Sequence, residues 1–212
     1  SFGLARQMVW QAFRRADRAM RRDVLDIQPA PLRGPYESPC TKGLPVLYGY
    51  SPSVIPPPPD WGPDIHVTGY WFPDAAPEWR PPPELDTFLR AGPPPVYVGF
   101  GSMSSRNPQQ TAELVLDAVQ QAGQRAVIQA GRGGMHAAGL PDTVMMIDSV
   151  PFGWLFPRLA AAVHHGGAGT TGACLRAGIP SVVVPFFGDQ PYWGQRIADL
   201  GAGPAPLTRS RL

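Results

Sequence analysis

The chain of 212 residues carries a formal net charge of +2, with 43% apolar and 16% charged residues. That apolar share excludes wholesale disorder, and the small charge gives no footing for a nucleic-acid partner. No run of 18 apolar residues reads as a membrane span. Proline is the outlier at 28 residues, clustered at 29–39, 52–63, 73–83 and 93–95, so the first half reads as loop-rich and the second as regular. Cys40 and Cys174 lie in different halves without CxxC spacing, which indicates no disulfide framework and makes a reducing, cytoplasmic setting the default.

In chain order, residues 4–27 read as one amphipathic helix stopped by Pro29. Arg14, Arg15, Arg18, Arg21 and Arg22 share one face of it, opposite Val9, Phe13, Met20, Val24 and Ile27. A solvated face on a core helix is the plain reading, and peripheral contact with an anionic inner-membrane surface is the sharper one. Residues 45–50 are expected to form a short buried strand and 65–70 another. Residues 71–95 read as a proline-rich connector with a short helix at 84–90. Ser1 opens directly into helical periodicity, so the chain is expected to begin partway through a longer protein.

From Pro95 onward, apolar runs at 96–100, 126–130, 143–147, 161–164 and 181–185 alternate with helical or turn segments at 108–122, 152–159, 168–177 and 190–200. Such alternation implies an α/β domain with a parallel sheet covered on both faces. Ligands of these sheets bind beyond the carboxyl ends of the strands. The turns at 99–102, 131–134, 149–151, 165–170 and 188–190 are therefore expected to build one cleft.

Within that frame, residues 161–194 carry the most chemistry. An apolar run ends in His164-His165, and a glycine-rich turn then opens a helix. Unpaired N–H groups and the positive end of the helix dipole at such a turn make an anion site, which points to a nucleoside diphosphate. His165 is placed to donate to a phosphate oxygen, whereas strand alternation sends His164 to the opposite face in a structural role. Asp189 and Gln190 offer a carboxylate and an amide suited to vicinal sugar hydroxyls. The plainer reading of Asp189 is a helix N-cap ahead of Pro191, and the two readings are compatible. Ser102 is either an ordinary turn residue or a second donor to phosphate. His66 and His136 stand isolated, and no group of residues has metal-ligand spacing. Gly167-Ala-Gly-Thr-Thr-Gly172 also fits the dinucleotide fingerprint G-x-G-x-x-G, with Asp189 where a ribose ligand would stand. An oxidoreductase domain using NAD or FAD is thus an alternative, against which stand the three strand-like runs preceding the motif.

Several of these pieces resemble a known family. They are Pro59-Asp60-Trp61, Val67-Thr68-Gly69-Tyr70-Trp71, Val98-Gly99-Phe100-Gly101-Ser102-Met103, Trp154-Leu155-Phe156-Pro157, His-His-Gly-Gly-Ala-Gly-Thr-Thr from His164 and Pro-Phe-Phe-Gly-Asp-Gln from Pro185. Together they are similar to the UDP-dependent glycosyltransferases of the two-domain GT-B type, in the branch of sterol 3-beta-glucosyltransferases and bacterial antibiotic and glycolipid glycosyltransferases.

The resemblance implies two Rossmann-like domains. Residues 1–80 would be the end of the acceptor domain with its linker, and residues 81–212 the nucleotide-sugar domain, incomplete at its C-terminus. His165, Gly167, Gly169, Thr170 and Ser102 would hold the diphosphate. Ser149 and Val150 would face the uracil mainly through the backbone, and Asp189 and Gln190 would hold the sugar. It further implies an inverting hexosyl transfer, with glucose as the favoured sugar, from a UDP-sugar to an apolar hydroxylated acceptor. No cofactor or metal is expected beyond the UDP-sugar itself. The family's general base, a histidine early in the acceptor domain, has no counterpart here, so the chain alone is expected to bind UDP without transferring sugar and to self-associate. A non-catalytic nucleotide-binding fragment is the further alternative. Two departures stand out. Ala173 occupies the position of a ribose-binding glutamate in plant members, and Phe152-Gly153 replaces the His-Asp common in relatives.

Overall fold

The computed structural model describes residues 2–34, 43–73, 75–101, 103, 108–130 and 139–208. Expectations resting on Cys40, Ser102, His136 and the turn at 131–134 lie outside the described residues. The chain divides into two compact units, Ser1–Gly49 with Pro57–Thr68, and Tyr50–Pro56 with Gly69–Leu212.

The smaller unit holds helix α1 (Phe2–Asp23) and two short parallel strands, β1 (Val46–Tyr48) and β2 (Ile65–Val67). Helix α1 ends before Pro29. The Val24 and Leu25 N–H groups both bond the Met20 carbonyl, and Asp26 then turns left-handed at φ 49°. Trp10 anchors the helix through its indole N–H, which donates to the Leu32 carbonyl at 3.0 Å. Val9, Phe13, Met20 and Val24 are exposed. Strand β1, expected to be buried, is exposed along its whole length. Two three-residue strands make too small a sheet to cover both faces of either one.

In the larger unit, strands β3 (Val96–Gly99), β4 (Ala126–Gln129), β5 (Val144–Ile147), β6 (Ala161–His164) and β7 (Ser181–Val183) form one parallel sheet in the order β5-β4-β3-β6-β7. Residue alternation sorts the strand side chains into two cores. Tyr97, Val127 and Ala162 pack on one face with residues of α2 (Pro83–Arg90), α4 (Phe152–Leu155) and α5 (Ala168–Ala177). Val98, Ala126 and Ile128 pack on the other with Ala112, Val115 and Val119 of α3 (Pro108–Gln121). A 3-10 turn (Phe156–Arg158) continues α4, and α6 (Gln190–Asp199) follows β7. The α/β class and parallel sheet read from the sequence are what the chain forms.

Residues 69–73 and 75–80, which the resemblance assigns to the acceptor-domain end and its linker, group with the larger unit. Phe72 and Trp79 lie against its aromatic core, and Tyr70 sits so close to α5 that a Cβ at Gly172 would come within 2.6 Å of its ring. Cys174 is a free, buried thiol whose pKa burial pushes up to about 11, which makes it inert. Among the described residues no helix is long and apolar enough to cross a membrane.

Candidate functional site

The sheet order places the site. From β3 the chain adds β4 and β5 on one side, then returns to add β6 and β7 on the other. The carboxyl ends of β3 and β6, where Gly99 pairs with His164, therefore flank the switch point at which such sheets open a ligand crevice.

Immediately beyond β6 the chain must turn sharply into α5. Gly166 makes the turn at φ 85°, and its N–H donates to His164 Nδ1 at 3.1 Å. His164 is fully buried, and that burial, reinforced by His165, lowers its pKa to about 4. It is a neutral acceptor that shapes the turn. Helix α5 opens at Gly167 with no side-chain cap. The N–H groups of its first turn, which precede the first intrahelical bonds, thus point into the crevice without a side chain competing for them.

His165 lies beside this helix start. A Cβ at Gly167 would come within 2.5 Å of its Nε2, and one at Gly101 within 3.0 Å of its Cε1. The turn after β3 and the turn after β6 thus meet at one imidazole, on one edge of the sheet. His165 Nδ1 has no hydrogen-bond partner among the described residues. Burial lowers the His165 pKa, while the Gly99 backbone and the Asp189 carboxylate oppose the shift. Burial thus favours the neutral ring over the imidazolium.

Along α5, a cleft of about 930 Å³ runs between the helix, the turn after β5 and the stretch that carries Trp71, Phe72 and Trp79. Ser149, Val150, Gly169, Thr170 and Ala173 all line it. The structure thus brings two of the expected turns together along one helix. Arg176, Phe72 and Trp79 also line the cleft and were not expected there. The Arg176 guanidinium lies 4.7 Å from the Phe72 ring centre, a cation–π contact at the cleft wall. Gly169, Ala173 and Arg176 follow the i, i+4, i+7 spacing of one helix face, and that spacing was the signal available for Arg176. Nothing in the proline-rich segment marked Trp79.

Asp189 and Gln190 depart from their expected arrangement. Asp189 has helical backbone angles (φ −87°, ψ −6°), and its carboxylate makes no cap bond. A cap needs extended backbone, so the carboxylate runs along the helix instead and accepts from the Trp193 indole at 2.8 Å. Gln190 is buried, and its Oε1 accepts from the N–H groups of Phe186 (2.7 Å) and Phe187 (3.1 Å). In this arrangement its amide shapes the turn after β7. Asp189 is exposed and keeps one oxygen beyond the indole bond. His66 stands on the exposed middle of β2, and no group of metal-ligating side chains forms among the described residues.

A parallel sheet with an uncapped, glycine-opened helix at its switch point is the arrangement of a Rossmann-type α/β domain. Residues 113–210 match the family described as the erythromycin biosynthesis protein CIII-like C-terminal domain. Over 209 residues, 98% of the chain, the sequence is 42% identical to sterol 3-beta-glucosyltransferase UGT80A2 of Arabidopsis thaliana, of which it spans 32%. The chain thus spans about a third of the length of the curated plant relatives it matches. Its fold is similar to that of the calicheamicin glycosyltransferase CalG4 (TM-score 0.61, 22% identity, 79% of this chain and 41% of that one). It is also similar to Arabidopsis thaliana UGT89C1 complexed with UDP (TM-score 0.53, 19% identity, 69% of this chain and 40% of that one). The chain belongs to the UDP-dependent glycosyltransferases of the GT-B fold. Nothing among these relatives supports the dinucleotide oxidoreductase alternative.

Proposed function

We propose that the chain carries the donor site of an inverting glycosyltransferase that moves glucose from UDP-glucose to the hydroxyl of a sterol-like acceptor. The observation that carries the reading is the uncapped start of α5 beside His165, with the Ser149–Val150 turn on the same helix. A diphosphate at Gly167, Gly169 and Thr170 would leave its nucleoside to reach Ser149 and Val150 across α5. Asp189, whose carboxylate acts electrostatically on His165, would meet the sugar. The relatives, sterol glucosyltransferases and a glycosyltransferase complexed with UDP, support the acceptor class and the nucleotide.

The reaction is a displacement at the anomeric carbon. The acceptor oxygen forms the new bond, the bond to the β-phosphate oxygen breaks, and UDP leaves with the electron pair. Charge develops on the β-phosphate, where the α5 N–H groups, the helix dipole and His165 would stabilise it. These groups supply the stabilisation without a metal ion.

UDP and NADH titrated against the chain by calorimetry test the class, since only UDP is expected to bind. His165→Ala is expected to weaken UDP about 10- to 100-fold, the range of one hydrogen bond to a charged acceptor. Unchanged UDP affinity, or a preference for NADH, refutes the reading.

Asp189→Ala separates sugar from nucleotide. Affinity for UDP-glucose is expected to fall while that for UDP stays nearly intact. The variant also loses about 1–2 kcal/mol of stability, because the Trp193 indole N–H is left without its acceptor. Equal losses for both ligands would move Asp189 from the sugar to the nucleotide.

A further inference from the structure

The turn that carries Ser149 and Val150 is fastened at both ends from within the sheet. Tyr97 on β3 is buried, and its hydroxyl donates to Gln129 Oε1 at the end of β4. Gln129 Nε2 in turn donates to the carbonyl oxygen of Asp148 at 2.8 Å, one residue before the turn begins. The same tyrosine ring meets Phe152 edge-on with centroids 5.9 Å apart, and Phe152 is the cleft-lining residue with which the turn ends. One side chain therefore holds the Asp148 end through a hydrogen-bond relay and the Phe152 end through its ring. Gly99 keeps the path open, because a Cβ there would stand 2.1 Å from the Tyr97 hydroxyl.

A backbone N–H and C=O can read a base only if their orientation is fixed, since a rotated peptide presents neither group. We propose that Tyr97 and Gln129 are positioning residues for nucleobase recognition, holding the Ser149–Val150 backbone in the orientation that accepts uracil and rejects a purine. The inference rests on the donor-site reading above and adds to it the source of base selectivity. Neither side chain touches the nucleotide. Each acts through the Asp148–Phe152 segment.

The test uses two variants of the whole chain, with UDP and ADP as probes in calorimetry. Tyr97→Phe keeps the ring and removes the donor. In Gln129→Glu a carboxylate oxygen still accepts from Tyr97, but nothing donates to the Asp148 carbonyl. UDP affinity is expected to fall about threefold in Tyr97→Phe and about tenfold in Gln129→Glu, with ADP affinity unchanged, so the preference for UDP narrows. In the full-length enzyme the same variants are expected to raise KM for UDP-glucose while leaving kcat intact. Circular dichroism melts confirm that each variant is folded at the titration temperature. Unaltered UDP affinity in Gln129→Glu, or equal losses for UDP and ADP, overturns the positioning role alone. A parent chain that binds no UDP overturns the donor-site reading and the positioning role with it.

Discussion

Gly166→Ala is expected to destabilise the larger unit by about 3 kcal/mol and to abolish UDP binding. Gly166 has φ 85°, a region that costs a residue with a side chain roughly 1–2 kcal/mol. The space is closed as well. A Cβ would stand 2.7 Å from Val183 Cγ1 and 2.9 Å from the Gln190 carbonyl oxygen. The latter is backbone at the start of α6, so it cannot swing aside, and overpacking of this kind typically costs about 1–3 kcal/mol. Relief requires the β6–α5 turn to shift, which displaces the Gly166 N–H from His164 and re-aims the first turn of α5. Equilibrium denaturation and UDP calorimetry check the two halves of the expectation. A change below about 0.5 kcal/mol with intact binding would show that the turn has slack the geometry does not suggest.

The second large effect is a loss of stability in mild acid that traces to His164. Its folded pKa is about 4, against 6.5 for the unfolded chain, because burial disfavours the imidazolium and His165 adds repulsion. Between those values the unfolded state binds more protons than the folded one, so stability falls as pH falls through that window and is complete above it. At pH 5 the deficit relative to pH 7.5 amounts to about 2 kcal/mol from this residue. His165, also lowered by burial, acts in the same direction. His164→Asn keeps an acceptor for the Gly166 N–H and cannot titrate. Its unfolding free energy is expected to drop far less over the same range. An acid dependence identical to that of the parent chain would assign the effect to other groups.

Strand and helix positions in the larger unit were legible because each strand is a short apolar run and each helix is closed by glycine or proline. The run of 161–164 became β6 residue for residue, and the segment of 168–177 became α5. The deep burial of His164, in a structural role, followed from strand alternation. What the sequence did not display depends on partners far away in the chain. Whether Asp189 caps or runs along its helix is decided by one ψ angle, and the acceptor it supplies belongs to an indole four residues on. That Gln190 accepts from the N–H groups of Phe186 and Phe187 depends on how the turn after β7 folds back on α6. Trp79 faces the cleft because an aromatic core in another segment receives it, its ring 5.4 Å from that of Trp154. The exposure of β1 reflects how little sheet surrounds it, a property of the whole unit rather than of Val46-Leu47-Tyr48.

The side chain of Gln190 has a mechanical consequence. While its oxygen holds the two N–H groups beyond β7, its nitrogen lies 3.4 Å from the Met103 sulphur, beyond β3. Those turns stand on either side of β6, so a single amide spans the crevice floor like a tie-rod. The thioether is a weak acceptor, so the amide holds the turn after β7 through two strong bonds and touches the turn after β3 through one weak one.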